Sequence, residues 1–244
     1  MATIRERDGT LRPVWGIAAN LIAGDSLPVG NVQMAAFSDS AGIVLSKGAV
    51  RLLTLDGVEL GTYPTSEAHP VLGISGPANT AVAWLPADSK LVRWDGSQFL
   101  AIKLDAAAIG GAVADIYLRD DTHAELLVRT AGMSMTRAHV LLSQGRVVDG
   151  APAPAINGNA IQLGSSLLFK DASGLEIVSP NGSMKTLPMR EADLTYERAG
   201  ANCVHLLSAS DGRQWLLYVG GPEPVLSEIA PVVQSTRNAS GGAK

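Results

Sequence analysis

The chain has one cysteine, Cys203, in 244 residues, so it has no internal disulfide and no cysteine-built zinc site. Cys203 lies in the apolar run NCVHLL, where a thiol is expected to pack as a small hydrophobe, not to react. Aromatic residues make up only 5%, with four tryptophans, which leaves few platforms for stacking a sugar ring. Charge is also thin. Charged residues are 17% of the chain, the formal net charge is −4, and lysine and arginine form no cluster. Nucleic acid is therefore not an expected partner, because displacing phosphate counterions needs a concentrated basic surface. The same reasoning excludes an anionic membrane surface. No apolar run approaches the ~20 residues of a membrane helix, so no membrane insertion is expected. The opening MATIRERDGT is too polar for a secretory leader, which fits either a cytoplasmic protein or a chain from which a leader was removed.

Familiar catalytic spacings are missing too. There is no Gly-x-Ser-x-Gly elbow, no phosphate-binding loop and no dinucleotide fingerprint. The histidines, His69, His123, His139 and His205, show neither i,i+4 nor His-x-His spacing, so neither a metal nor a cofactor is expected. His139 and His205 fall in strand-like runs and read as hydrogen-bonded structural residues. Helical 3,4-spacing is not sustained. DAAAIGGAVADI (105–116) comes nearest, and its two glycines weaken it.

What the chain does have is 46% hydrophobic residues cut into short segments by turn signals. TLDGVEL, RWDGSQF, LSQGRVV, SPNGSMK and YVGGPEP centre on Gly57, Gly96, Gly145, Gly182 and Gly220. Asp-Gly and Asn-Gly supply the positive φ angles of tight hairpins. The turns recur at roughly 40 residues, which is a repeat signature. Each repeat divides into four short apolar runs, as in HPVLGIS, TAVAWLP, KLVRWDG and QFLAIKL (69–104).

Four antiparallel strands per repeat of this length resembles the β-propeller superfamily, over roughly residues 33–230. The segments LRPVWGIAANLIAGDSLP, AFS and RWDGSQF are further similar to exported propeller-like proteins of soil bacteria, acidobacteria in particular. The resemblance implies an all-β chain forming a single propeller of five blades of four antiparallel strands. The blades fall at about 33–66, 67–105, 112–151, 158–190 and 193–230. A flexible N-terminus (1–10) and a flexible tail (233–244) flank a propeller spanning 11–232. The segment from Leu11 is expected to close the ring by pairing with the fifth blade; a six-bladed ring borrowing 11–32 is the alternative. Val82, Leu127, Leu168 and Leu206 then occupy equivalent second strands and should be buried. Trp84 and Trp94 read as packing residues.

In propellers the innermost strands line a channel, and ligands favour the face made by blade-to-blade loops and second-to-third-strand turns. On that face lie Glu67 and His69 in PTSEAHP, Asp105 in LDAAAIGGA, and Arg190, Glu191 and Asp193 in PMREAD. The turns there hold Asp88, Asp171, Asp211 and Arg213. The uncharged loop DGAPAPAINGN (149–159) would suit a binding rim. SASDGRQW (208–215) resembles the Asp-box of sialidase-type propellers, but Ser210 and Gln214 replace its Asp and Thr. A hydrolase would need channel carboxylates, for which the inner strands offer Asp39, Asp115 and Glu197. The expectation is a monomeric, non-catalytic scaffold, from an exported parent protein, that binds a protein or small ligand through loops at one end of the channel. A carbohydrate-active hydrolase is the alternative, as is a cytoplasmic location.

Overall fold

The computed structural model describes residues 1–17, 20–75, 80–132, 134–153, 156 and 158–230. Nearly all regular structure is β. Strands β1 (Ala2–Arg5), β2 (Leu11–Ile17) and β3 (Asn20–Ala23) form a three-stranded sheet. Five antiparallel runs of four strands follow. The first is β4 (Val32–Phe37), β5 (Ala41–Ser46), β6 (Ala49–Thr54) and β7 (Glu59–Pro64). The second is β8 (Val71–Ile74), β9 (Ala81–Leu85), β10 (Lys90–Trp94) and β11 (Phe99–Lys103). The third is β12 (Ala112–Leu118), β13 (His123–Arg129), β14 (Met135–Leu141) and β15 (Arg146–Pro152). The fourth is β16 (Ala160–Leu163), β17 (Ser166–Lys170), β18 (Leu175–Val178) and β19 (Met184–Leu187). The fifth is β20 (Leu194–Gly200), β21 (Cys203–Ser208), β22 (Gln214–Tyr218) and β23 (Val225–Ile229). The turns between third and fourth strands use Gly57, Gly96, Gly145 and Gly182 at positive φ, the first two after Asp, the last after Asn and Gly145 after Gln144.

The five runs are not five separate sheets. Strand β20 bridges β4 in parallel at Ala199 and Phe37, which fuses the last and first runs into one eight-stranded sheet. Hydrogen bonding therefore gives four sheets of four or more strands, where five were expected, beside the three-stranded one. The innermost strands β4, β8, β12, β16 and β20 neighbour one another in a closed ring, a propeller arrangement.

Apolar clusters fill the gaps around that ring. Ile43 meets Leu72 and Trp94, and Leu91 meets Ile116. Leu127 meets Leu167, and Leu168 meets Leu206 and Trp215. The second strands are covered on both faces, so they read as unbroken apolar runs instead of alternating ones. Val82, Leu127, Leu168 and Leu206 are all fully buried, as the four-strand phase requires, and Trp84 and Trp94 are buried as packing residues.

The N-terminus departs from expectation. Residues 1–10 were expected to be flexible, yet β1 is a buried strand. Asp8–Gly9 is one more Asp-Gly hairpin turn: Gly9 has φ 81°, and Asp8 Oδ1 accepts from the Thr10 amide at 2.9 Å. Strand β2 pairs with β1 and β3, not with the fifth run. The small sheet instead packs into the seam between the fifth and first runs. Ile4 and Val14 meet Leu216 and Ile229 on one side, and Leu11 meets Phe37 and Val44 on the other. The expected 149–159 loop is shorter, because β15 extends through Pro152. Residues 154, 155 and 157 of that loop, and the expected tail 233–244, lie outside the described residues. The DAAAIGGA segment makes a single turn, α1 (Ala106–Ile109), capped by Asp105 and ended by Gly110 in the left-handed conformation.

Candidate functional site

Polar residues of the inner strands divide the channel. Asp115 follows a bulge in β12, and Arg198 precedes one in β20; bulges of this kind re-aim side chains out of the ladder. Asp115 Oδ2 accepts from the Gln162 amide at 2.6 Å and lies 3.3 Å from Arg198 Nη2. The guanidinium also donates to the carbonyls of Gln162 (2.5 Å) and Ile116 (3.2 Å). Gln162 Nε2 donates to the Glu125 carbonyl at 3.1 Å. Burial pushes the Asp115 carboxyl above the usual range, and Arg198 opposes that shift. Arg198 borders cavities on both sides, so this network partitions the channel.

At the blade-to-blade-loop end, cavities of about 350 and 270 Å³ share Asp115, Ile161, Thr195 and Tyr196. The smaller also holds Arg5, His69 and Glu197. Arg5 reaches in from β1 and donates to Glu197 Oε1 through Nε (2.8 Å) and Nη2 (2.6 Å), while Oε2 is buried with no hydrogen-bond partner among the described residues. Burial raises the Glu197 carboxyl, and Arg5 opposes the rise. Burial also raises the Tyr196 phenol.

The three candidate carboxylates do not converge. Asp115 and Glu197 line one cavity. Asp39 follows β4 at the other end, exposed, where Oδ1 accepts from the Ala201 amide at 3.1 Å. The loop candidates are mostly engaged in holding their own loops. Glu67 accepts from the amides of His69 (3.2 Å) and Ala87 (3.0 Å), tying a blade-to-blade loop to a neighbouring turn. Asp88 pairs with Lys90 at 3.2 Å, and Asp105 caps α1. Asp171 accepts from Ser173 and Gly174, which lower its pKa. Glu191, Asp193, Asp211 and Arg213 form one cluster. Arg213 pairs with Glu191 (2.7 Å) and Glu228 (2.8 Å), lies 4.9 Å from the Trp215 ring centroid, and donates its amide to Asp211. Asp193 accepts from Ser210 Oγ at 3.2 Å. The Arg190 amide donates to Glu191 Oε2 at 3.2 Å. Cys203 is half-buried, and burial raises its thiol.

A larger cavity, about 660 Å³, opens at the opposite end from these loops. Ser75, Arg119, Gly164 and Ala201, where inner strands turn into second strands, contribute to it. So do the third-to-fourth-strand turns around Ser179–Lys185 and Val219–Pro224. Its cations are Arg119, Lys185 and Arg198, and none of its described lining residues is acidic. The candidate loops named from the sequence lie at the other end, and the residues lining this cavity were not among them. A charged residue inside an inner-strand run, as in TYERAG, was the one available signal for Arg198.

No family model matches the chain, and no curated protein matches it. Several solved structures do. The WD40 domain of Neurospora crassa Pan2 shares 9% identity at TM-score 0.47, covering 95% of this chain and 79% of that one. Kluyveromyces marxianus Hsv2 shares 8% at TM-score 0.46, covering 92% and 83%. PorZ, a surface component of the type-IX secretion system of Porphyromonas gingivalis, shares 13% at TM-score 0.43, covering 82% and 28%. These likenesses concern the fold. The class that the ring of strands itself defines is a β-propeller; the resemblance to exported acidobacterial proteins has no support among these structures.

Proposed function

We propose that the chain is a non-catalytic propeller scaffold that holds a protein or small ligand at one mouth of its channel. In this reading the five runs are five blades, and the N-terminal sheet is a wedge in the seam. The observation that carries it is the commitment of both channel carboxylates to arginine: Asp115 to Arg198 and Glu197 to Arg5. A glycosidase needs one carboxyl free to give a proton and another free to attack or to activate water. The hydrolase remains as a second reading because Asp115 and Glu197 line one cavity and burial raises both carboxyls.

The test is a panel of nitrophenyl glycosides assayed with the native chain and with Glu197→Gln. No release above the protein-free control is the expected result. Release that falls by a factor on the order of 10²–10⁴ in Glu197→Gln would establish the hydrolase and overturn the scaffold. A monomeric state and an exported parent protein belong to the same proposal. Sedimentation and fractionation of the source cells test them, and a dimer or a cytoplasmic pool overturns each in turn.

A further inference from the structure

We infer that the 660 Å³ cavity takes a small anion, a ligand bearing a carboxylate or phosphate. This rests on the binding-scaffold reading and names the ligand class of its larger mouth. A volume of this size is typical of small-molecule sites, which run from about 300 to 1,000 Å³. Its described lining holds three cations and no acidic residue, each cation being paired with a carboxylate outside that lining: Arg119 with Glu125, Lys185 with Glu223 and Arg198 with Asp115. Tyr117, Ser179 and Asn202 add groups that can donate hydrogen bonds to anion oxygens.

Two of the cations can be released to a ligand. Lys185 pairs with Glu223, whose side chain is 73% exposed on the turn that borders the cavity. An exposed pair of this kind is weak, so a ligand anion can replace Glu223. Arg119, half-exposed, lies 3.0 Å from buried Glu125, and Glu125 is also 3.3 Å from Arg137 and from His139. Glu125 therefore keeps partners when Arg119 turns to a ligand. Arg198 is held by Asp115 and two carbonyls, so it forms a fixed floor whose charge Asp115 balances, and it is not released to a ligand.

The experiment titrates the whole chain with succinate, inorganic phosphate and neutral succinamide, followed by amide NMR shifts and calorimetry. Succinate, phosphate or both should bind and shift the Asn202 and Lys185 amides, and succinamide should not. Which anion binds decides between a carboxylate and a phosphate ligand. Lys185→Gln should weaken binding about tenfold, and Glu223→Gln should tighten it roughly threefold. Both positions are exposed, so both variants should fold. Anion binding that neither variant changes would overturn the proposal, as would no binding of either anion at millimolar concentration. Succinamide binding as well as succinate would overturn the anion class while leaving the scaffold reading intact. Glycoside turnover, in contrast, would overturn the scaffold reading alone.

Discussion

Arg198 and Asp115 have side chains 5% and 8% exposed, so neither ion has water to fall back on. Removing one partner of such a pair leaves the other buried and unpaired, which costs about 3–5 kcal/mol. Arg198→Met should therefore lower the free energy of unfolding by about that much in a urea titration. Adding Asp115→Leu in the same chain should restore most of it, because no charge is then left stranded. A loss below 1 kcal/mol in the single variant would mean that the network is not structural. His205 gives a second residue-scale prediction. It is buried, hydrogen-bonded to Gln214 Oε1 at 2.8 Å, and burial lowers its pKa from 6.5 to about 4. The unfolded chain thus binds this proton more readily than the folded one. The contribution of His205 is complete above pH 6.5 and is lost as the pH falls toward 4, by a total on the order of 3 kcal/mol. The raised carboxyls Asp115 and Glu197 act in the opposite sense, so the quantity to measure is the difference between native chain and His205→Gln. That difference should shrink between pH 6.5 and 4. A constant difference would show that His205 does not titrate there.

Elements in this fold owe their positions to a few close contacts between neighbouring runs. A Cβ built on Gly61 of β7 would lie 2.3 Å from the Trp94 ring. Trp94 stacks edge-on to Phe99 at 5.3 Å and is buried, so glycine is what lets the ring lie against the outermost strand. Gly61→Val should displace Trp94, cost about 1–3 kcal/mol, and move tryptophan emission to longer wavelength. Unchanged emission would mean that the ring finds room elsewhere. At this scale the sequence was informative where local chemistry decides the outcome. The third-to-fourth-strand hairpins, the apolar second strands and the inner-strand carboxylates could all be located from turn residues and apolar runs. The Arg5–Glu197 pair could not, since it joins positions far apart in the chain, and the strand carrying Arg5 reads as polar. The larger cavity was illegible for the same reason: Arg119 and Lys185 look like ordinary surface charges until the ring brings their turns together. The Asp8–Gly9 pair carries the same turn signal, but the four charges in the ten residues of MATIRERDGT give the segment a polar character that masks the strands on either side.

A ring of sheets has no free faces only if its ends meet, and here the N-terminal sheet fills the junction. It buries Ile4 against the fifth run and Leu11 against the first, both almost fully. The parallel bridge at Ala199 and Phe37 joins those runs at one point only. Each sheet cannot bury its faces alone, so stability comes from neighbour contacts, and a gap at the seam exposes two apolar surfaces at once. Ile4→Ala and Leu11→Ala should each cost about 2–5 kcal/mol, read as a fall of roughly 5–15 °C in Tm. A chain beginning at residue 25 should lose far more, and should self-associate through the bared faces when followed by sedimentation. If that shortened chain stays monomeric and melts within a few degrees of the native one, the first and fifth runs close the ring by themselves. The N-terminal sheet would then be an appendage whose one contribution to the channel is Arg5.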